Sequence, residues 1–363
     1  MTLVHELEGA VVLSKFDTDN GYWNCILDEA SSNLTTFLTP FGRYKYLRLP
    51  FGLCVSSEIF QKKLQAALEG LEGTLCIADD IVVYGIGKDK EEATKDHDKK
   101  MKAFLERCRS KGIRLNKMKT ELRKSEITFL GHILTSEGLK PDPEKIKAIV
   151  RMEPPKDVKE VQRFNGMVNY LARFMPNLSE KIEPLRRLTN KDAEWSWEKE
   201  QKEAFEKIKE LVTSSQVLGY YSQSKPLYLQ CDASQSGLGC ALLQEGRPIC
   251  YASRALTPAE TKYAQIEKEM LAIVFGMRRF HTYTFGRHTI VLSDHKPLEI
   301  ITKKPLENAP RRIQGMMLKL QMYDIDVRYQ KGSEMHIADL LSRVHLKEAE
   351  EESFEHMPQN TFQ

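Results

Sequence analysis

The sequence predicts three consecutive parts: an α+β domain, a helical connector and an α/β domain. The first 140 residues alternate short apolar strands with amphipathic helices, which favours a sheet with helices packed on one face. Prolines between residues 141 and 155 precede a stretch of helical spacing without strands. From residue 226 three strands follow one another, and helices then alternate with strands. The predicted boundaries are 1–140, 141–220 and 221–345, with an acidic disordered tail over 346–363.

Composition indicates a globular, intracellular protein. The chain is 41% hydrophobic and 29% charged, with a net charge of +3. Its seven cysteines form no CxxC pair, so neither a disulfide framework nor a zinc site is indicated, and a reducing, cytoplasmic compartment is expected. No signal peptide or membrane-length apolar run is present. Between Lys99 and Lys124 eleven Lys/Arg stand against two Glu, which is typical of a phosphate-binding surface or of a solvated helix face.

The elements of the first part follow from apolar spacing and from Gly and Pro positions. VVLSKFD is predicted as a strand, TPFGRYKYLRLPFG as a hairpin and residues 57–68 as a helix. Strands are predicted on both sides of Asp79–Asp80, and EITFLGHILTSEGL as two strands joined by a turn. A helix is predicted over residues 95–111, with these side chains directed inward: Met101, Phe104, Leu105 and Cys108.

The second and third parts are predicted in the same way. Apolar residues recur at helical spacing from Val161 to Phe174, where Pro176 is predicted to close the helix, and a second helix is predicted over 198–212. The strands PLYLQCDAS, GLGCALLQ and RPICYAS precede a predicted helix over 258–280. The elements predicted after it are strand HTIVLSD, a helix over 311–321, strand YDIDVRYQ and a short helix with HIADLLSR.

Two sets of acidic residues carry the functional hypotheses. Asp79 and Asp80 are adjacent like charges within the apolar run CIADDIVVYG, and a divalent cation would supply the missing positive charge. Asp17 ends strand VVLSKFD, so neighbouring strands can bring these three carboxylates to one two-metal site for phosphoryl transfer. The alternatives are an ordinary Asp-Asp turn and unrelated surface acids.

The second set lies in the third part of the chain. Each member stands at or near the end of a different predicted element, an arrangement that directs acids toward one metal cluster. These residues are Asp232, Glu269, Asp294 and Asp339. The alternative is again a set of unrelated acids.

Specific strings in a fixed order carry a family resemblance over nearly the whole chain. They are LSKFDTDNGYWNCIL, RYKYLRLPFGLCVSSEIFQKKL, CIADDIVVYG, FLGHILTSEG, VQRFNGMVNYLARFMPNLS, CDASQSGLGCALL, YAQIEKEMLAIVFGM, VLSDHKPLEI and HIADLLSR. With these strings the chain resembles the reverse transcriptase–ribonuclease H region of the Pol polyprotein of gypsy-type LTR retrotransposons. The resemblance implies a polymerase palm and thumb, a helical connector and an α/β ribonuclease H-like domain.

The resemblance also implies roles for both acidic sets. Asp17, Asp79 and Asp80 would hold the polymerase metals, and the second set the ribonuclease H metals, with two Mg²⁺ per site and Mn²⁺ as an alternative ion. Glu269 is preferred to Glu267 because it precedes the family's apolar run. The implied partners are an RNA template, a DNA primer, an RNA–DNA hybrid and deoxynucleoside triphosphates, while no membrane partner is expected and the oligomeric state stays open.

Contacts to the incoming nucleotide are implied at five further residues. Tyr22 would stack below the sugar and exclude a 2′-hydroxyl, with core packing as the alternative. Phe51 and Gly52 would lie along the nucleotide and template, where glycine lets the backbone approach closely. Lys117 or Lys119 stands where the family places a lysine near the triphosphate, with a solvated basic face as the alternative.

The main departure from the family is at the start of the chain. Only sixteen residues precede Asp17, so we expect an N-terminally truncated polymerase whose fingers are largely missing. RNA cleavage in hybrids is therefore expected to persist better than DNA synthesis. Two alternatives remain: a non-catalytic nucleic-acid-binding remnant or host-reused protein, and an incomplete gene model whose protein begins upstream.

Overall fold

The computed structural model describes residues 6–190, 193–215, 217–332 and Met335. The chain divides into two compact units, Met1–Asp142 and Pro143–Gln363. No helix within the described residues combines the length and the apolar character that a bilayer crossing requires.

Over its described residues, 6–142, the first unit contains three sheets and three α-helices. Its strands are β1 (Ala10–Asp17), β2 (Phe37–Thr39), β3 (Gly42–Tyr44), β4 (Thr74–Ile77), β5 (Asp80–Ile86), β6 (Glu121–Lys124), β7 (Glu126–Phe129), β8 (His132–Thr135) and β9 (Gly138–Pro141). Its helices are α1 (Glu29–Leu34), α2 (Ser56–Leu68) and α3 (Lys90–Lys111). The largest sheet has the strand order β4-β5-β1-β6, and β2-β3 and β7-β8-β9 form the other two.

The two central strands of the main sheet place the predicted aspartates side by side. β1 and β5 run antiparallel, and their register pairs Asp17 with Asp80. Helices α2 and α3 bury apolar side chains of this sheet, and the rings of Phe16 and Phe104 lie 5.0 Å apart. Because both strands bury apolar side chains such as Phe16 and Ile81 in this core, the core fixes the register in which the two carboxylates meet.

Helix α3 differs from its prediction at its start and on one face. It begins at Lys90, five residues before the predicted start, because the side chain of Asp89 accepts the backbone N–H of Glu92 at 2.8 Å and caps the helix. The prediction that Leu105 faces inward is wrong, since its side chain is 46% exposed. The buried face instead follows Ala93, His97, Phe104 and Cys108, and Leu105 is rotated about 100° from Phe104.

The segment predicted as a strand pair after α3 is longer than expected. β7 and β8 form the predicted hairpin, but β9 adds a third antiparallel strand, with Leu134 paired with Leu139. The hairpin predicted over residues 39–52 lies earlier in the chain, as β2 and β3 over residues 37–44. Neither difference from the predictions changes the positions of the acids.

The second unit begins with helices and ends with a sheet covered by helices. The first helices are α4 (Pro143–Val150), α5 (Val158–Tyr170), α6 (Leu178–Lys181), α7 (Glu183–Arg187) and α8 (Lys199–Thr213). The sheet region contains β10 (Leu227–Ala233), β11 (Gly237–Gln244), β12 (Arg247–Ala255), α9 (Gln265–Arg279), α10 (His281–Thr284), β13 (Thr289–Ser293), α11 (Lys296–Thr302), α12 (Arg311–Leu320) and β14 (Ile325–Tyr329).

The five-stranded sheet of this unit is mixed. Its order is β12-β11-β10-β13-β14; the first three strands pair antiparallel, while β10, β13 and β14 run parallel. Helix α9 packs on this sheet through fully buried residues such as Met270, Ile273 and Met277. The carboxyl ends of β10 and β13 therefore lie beside each other at one edge, where Asp232 and Asp294 are found.

Two helix boundaries in this unit differ from the predictions. Helix α5 ends at Tyr170, six residues before Pro176, and the chain continues in a short 3₁₀ turn. Helix α9 begins at Gln265, not near residue 258. Residues before it form a separate 3₁₀ turn because Glu260 is held by a two-pronged ion pair with Arg254.

All seven cysteines are free, as the absence of a CxxC pattern predicted. The short helix predicted for HIADLLSR, with Asp339, and the predicted acidic tail lie outside the described residues.

Candidate active sites

Three of the four acids predicted for the third part of the chain come together in the second unit. Asp232 lies at the end of β10, Glu269 on the second turn of α9 and Asp294 directly after β13. One carboxylate oxygen from each lies within 4.8 Å of those of the other two. Among the described residues this is the one group that brings three such ligands together. Asp339, the fourth predicted member, lies outside the described residues.

The carboxyl group of Glu269 has a strongly raised pKa. Burial, together with the nearby charges of Asp232 and Asp294, raises its pKa to about 8, while hydrogen bonds from Gln265 and the Ala233 backbone act in the opposite direction. One oxygen, Oε1, accepts a hydrogen bond from the Gln265 side chain at 2.6 Å. The other, Oε2, is buried and has no hydrogen-bond partner. A buried carboxylate oxygen without a partner is costly, and a bound cation would offset that cost.

Asp232 is also destabilised as an anion. Burial raises its pKa, and so does the charge of Asp294, while hydrogen bonds from the Ala233 backbone and from the Asn177 side chain lower it. Asp294 is exposed, so it opens the cluster to solvent. The cluster thus offers hard oxygen donors, a concentration of negative charge and access from water, and these are the features that Mg²⁺ or Mn²⁺ sites require.

Two residues of α9 close to Glu269, Gln265 and Glu267, have different hydrogen-bond partners. Glu267 accepts the backbone N–H of Ala264 at 3.0 Å and pairs with Arg312 at 2.7 Å, which uses its carboxylate at the start of the helix. Gln265, one turn before Glu269, also donates to the Ala233 carbonyl at 2.7 Å. Sequence reasoning missed Gln265, although its i, i+4 spacing from Glu269 places both on one helix face.

The acids of the first unit form a more open arrangement. Asp17 and Asp80 are cross-strand partners, but each carboxylate is engaged by a lysine. Lys119 Nζ lies 3.1 Å from Asp17 Oδ2, and Lys15 Nζ lies 3.3 Å from Asp80 Oδ1. The lysines supply part of the counter-charge that the apolar neighbours in the sequence could not. Lys15 was not predicted, although its position two residues before Asp17 places it on the same strand face.

Asp79 lies in the turn between β4 and β5. Burial raises its pKa, and the charges of Asp17 and Asp80 add to this, while Lys119 acts in the opposite direction. The turn is held by Gln61 of α2, whose side chain donates to the Cys76 carbonyl at 3.2 Å and accepts the Ala78 N–H. Ala78 has a left-handed backbone with φ of 53°, a strained conformation for alanine. Nothing in the local sequence indicated the role of Gln61.

The predicted nucleotide-contacting aromatic residues lie next to each other. The rings of Tyr22 and Phe51 are 4.8 Å apart, and the Tyr22 hydroxyl lies 2.8 Å from Ser57 Oγ. Phe51 is 61% exposed, so this aromatic pair has a face open to solvent. Gly52 has φ of 89°, a conformation that favours glycine.

The two predicted lysines stand in one short 3₁₀ turn. Lys119, at the end of this turn, lies 3.1 Å from Asp17 Oδ2, and Lys117 stands at its start. Asn116 caps that turn by accepting the Met118 N–H at 3.0 Å, and its backbone N–H donates to the Asp17 carbonyl at 2.8 Å. This second contact fixes the 3₁₀ turn Lys117–Lys119 beside Asp17.

Comparison with known proteins agrees with the family resemblance. Residues 1–134 match the family described as reverse transcriptase (RNA-dependent DNA polymerase). Residues 197–291 match the RNase H-like domain found in reverse transcriptase. The chain is also 34% identical over 335 residues to the retrovirus-related Pol polyprotein from transposon 297 of Drosophila melanogaster.

This chain belongs to the reverse transcriptase–RNase H region of retrotransposon Pol polyproteins. Further relatives agree: the Pol polyprotein from transposon 412 of Drosophila melanogaster is 32% identical and the transposon Tf2-3 polyprotein of Schizosaccharomyces pombe is 31% identical. The matches cover 92–95% of this Pol region but only 26–31% of those polyproteins. The predicted gypsy-type resemblance is consistent with these relatives.

Solved structures confirm the fold class of this Pol region. The foamy viral protease-reverse transcriptase in complex with double-stranded DNA has a TM-score of 0.79 at 24% identity, covering 91% of this chain and 59% of that one. The same viral enzyme in complex with an RNA/DNA hybrid has a TM-score of 0.78 at 23% identity, covering 99% of this chain and 47% of that one. A reverse transcriptase palm and an RNase H-like domain are thereby confirmed as the architecture.

Proposed function

We propose that this Pol region cleaves the RNA strand of RNA–DNA hybrids at the acidic cluster of the second unit. The observation that carries the proposal is the convergence of Asp232, Glu269 and Asp294 within 4.8 Å, with Glu269 Oε2 buried and without a partner. Asp339, predicted as the fourth ligand, would add to the same site. Bound Mg²⁺ ions would polarise the scissile phosphate and activate water for in-line attack.

The protein itself would position these carboxylates for the metals. The parallel pairing of β10 and β13 sets the separation of Asp232 and Asp294, and α9 presents Glu269 between them. Gln265 fixes Oε1 of Glu269, which leaves Oε2 as the oxygen available to a cation. Without a cation Glu269 holds a proton at neutral pH, which bound metals would release. Recognition of the hybrid would rest on phosphates, groove shape and the 2′-hydroxyl.

The decisive experiment is Mg²⁺-dependent cleavage of a labelled RNA–DNA duplex by the purified chain. We expect Asp232→Asn to abolish cleavage, because it removes one negative ligand while preserving shape. The matched control is Asp324→Asn, since Asp324 is an exposed aspartate of the same unit. Cleavage that is unchanged by Asp232→Asn would refute the proposal. Salt-sensitive hybrid binding without metal-dependent turnover would favour the non-catalytic, nucleic-acid-binding alternative.

We further propose that Asp17, Asp79 and Asp80 are the metal ligands of an RNA-directed DNA polymerase site. The cross-strand pairing of Asp17 with Asp80 and the raised pKa of Asp79 support a site that gains from bound Mg²⁺. With metals bound, the site would catalyse attack of a primer 3′-hydroxyl on a deoxynucleoside triphosphate. Primer extension on an RNA template should be lost in Asp80→Asn, and unchanged extension would contradict the assignment.

Nucleotide selection in this proposal rests on the exposed aromatic pair. Tyr22 packs against Phe51 and is held by Ser57, so its ring has a fixed position from which bulk can exclude a 2′-hydroxyl. Lys119 is the lysine we assign to the triphosphate, because it reaches the aspartates. Replacing Tyr22 by alanine should increase ribonucleotide incorporation, while Tyr22→Phe should preserve selection. Equal discrimination in both variants would argue against this role.

Cleavage is proposed to be the more robust of the two activities. Its three described acids are already gathered, whereas Asp17 and Asp80 are ion-paired with lysines that metals would have to displace. We therefore expect half-maximal cleavage at a lower Mg²⁺ concentration than half-maximal primer extension. The reverse order, measured on one preparation with both substrates, would contradict this ranking.

A further inference from the structure

The segment that enters helix α6 lies directly on the sheet that carries Asp232. Asn177, which precedes α6, has a left-handed backbone with φ of 48°. The next residues are anchored: Leu178 is 2% exposed, and the Ser179 backbone N–H donates to Ser253 Oγ on β12 at 2.9 Å. This segment belongs to the helical connector in the sequence, outside the RNase H-like match over residues 197–291.

A glycine on β11 makes room for the Asn177 side chain. Gly239 is the cross-strand partner of Asp232 on β10 and of Ser253 on β12, so the three positions share one face of the sheet. A Cβ atom at Gly239 would lie 1.8 Å from Asn177 Oδ1 and 2.9 Å from its Cγ, far inside contact distance. The asparagine amide therefore occupies the space that any larger residue at 239 would fill.

In this position the asparagine amide reaches the Asp232 carboxylate. Oδ1 lies over Gly239, and the side chains of Asn177 and Asp232 line one small cleft. At this place the asparagine side chain lowers the pKa of the Asp232 carboxyl by hydrogen bonding. The amide nitrogen is the donor, since a carboxylate can only accept. Glu180, on the next turn of the same segment, lines the same small cleft with Ser234 and Gly237. Asn177 is thus a neutral donor beside Asp232, where the charges of Asp294 and Glu180 disfavour the carboxylate.

We propose that Asn177 is a positioning residue that holds the Asp232 carboxylate in its metal-binding orientation, so that the nuclease site extends into the connector. The proposal rests on the proposed RNA-cleaving function of the acidic cluster. Asparagine suits this place for two reasons: it tolerates the left-handed backbone, and its amide donates without adding charge. Partners that orient metal ligands in this way typically change metal affinity or activity by about 10–100-fold when they are lost.

The first test replaces the amide without straining the backbone. Asn177→Gly removes the donor and keeps φ permissive, and Asn177→Asp preserves shape but adds a negative charge beside Asp232. Glu245→Gly is the matched control, because Glu245 is also left-handed, with φ of 51°, and lies beyond the opposite end of β11 from the site. Mn²⁺ binding to the full chain without nucleic acid is followed by the EPR signal of the free ion.

We expect about a 10-fold weaker Mn²⁺ affinity in Asn177→Gly, an equal or larger loss in Asn177→Asp and no change in the control. Hybrid cleavage in Asn177→Gly should fall at limiting Mg²⁺ and recover at high Mg²⁺, which a general loss of folding would not allow. Mn²⁺ affinity equal to that of the unmodified chain would overturn the inference. If Asp232→Asn abolishes cleavage in parallel, only the role of Asn177 has failed; if it does not, the proposed function itself has failed.

A second test addresses the contact between the amide and the glycine. Gly239→Ala should push the amide away from Asp232 and weaken Mn²⁺ binding to a similar degree. In the Asn177→Gly background the same change should add little, because the atoms that the new methyl group meets are gone. Equal and additive losses in the two backgrounds would contradict the contact. If Gly239→Ala alone does not fold while the double variant does, the clash is demonstrated directly.

Discussion

The buried carboxyl group of Glu269 makes a quantitative prediction about stability. In the absence of metal its pKa is raised to about 8 in the folded protein, against an ordinary value of 4.5. The folded state therefore holds a proton that the unfolded chain has released at neutral pH. Because the native state binds more protons, unfolding becomes easier as pH rises, and this loss of stability runs from about pH 4.5 to about pH 8.

The magnitude follows from the same two pKa values. One pKa unit corresponds to about 1.4 kcal/mol, so the protonation difference at Glu269 removes about 2 kcal/mol of stability between pH 6 and pH 8. The group is only 3% exposed, so little of this effect is screened by solvent. Glu269→Gln is neutral at every pH and should not show this dependence. The variant should be more stable than the parent, by a margin that grows by about 2 kcal/mol over that interval.

The assay is urea unfolding in EDTA at pH 6 and pH 8, followed by tryptophan fluorescence. A Trp23→Phe background leaves Trp195 and Trp197, both in the second unit, as the reporters. Glu245→Gln is the control, since that carboxylate is 62% exposed in the fold. Added Mg²⁺ should stabilise the parent and not Glu269→Gln. A stability margin that stays constant between pH 6 and pH 8 would refute the reasoning.

Three further predictions concern the connector core and the polymerase site. Phe164 is fully buried with its ring 4.6 Å from that of Phe205, so Phe164→Ala should cost about 3–5 kcal/mol in the same urea assay, and a loss below about 1 kcal/mol would contradict its place in the core. Gln61→Leu should release the turn before Asp79 and reduce primer extension by about 100-fold with hybrid cleavage unchanged; equal loss of both activities would indicate general misfolding. Lys119→Ala should raise the KM for deoxynucleoside triphosphates by about 10-fold, the worth of one charge-assisted hydrogen bond. Lys117→Ala should leave that KM near its original value. A larger increase in KM for Lys117→Ala than for Lys119→Ala would assign Lys117 to the triphosphate instead.

Local patterns were sufficient for most of the fold. Strand β1 was predicted from VVLSKFD, and the buried residues of α5 from Val161 and Phe164, because the side-chain period of a strand or helix is visible in the sequence. Boundaries were less accurate. The start of α3 depends on a cap at Asp89, and the start of α9 on an ion pair between Arg254 and Glu260, and neither interaction alters the apolar period.

The sequence by itself determined the family of this protein and the acids that are candidates for metal binding. Asp79–Asp80 and Asp232 are recognisable because uncompensated charge next to apolar strands is unfavourable unless it serves a site. Their motifs also placed the chain among retrotransposon Pol polyproteins, which the comparisons confirmed. The metal roles of these residues stay predictions that the proposed experiments test.

Only the tertiary structure decided which residues support those acids. Gln61 lies 15 residues before Cys76, and Asn177 lies 55 residues before Asp232, so no periodicity links them. The same holds for the contact between Lys119 and Asp17, which depends on a turn docked against β1. The physical reason is that a hydrogen bond or ion pair requires atoms within a few ångströms, and such distances between remote residues are set by the packing of whole elements.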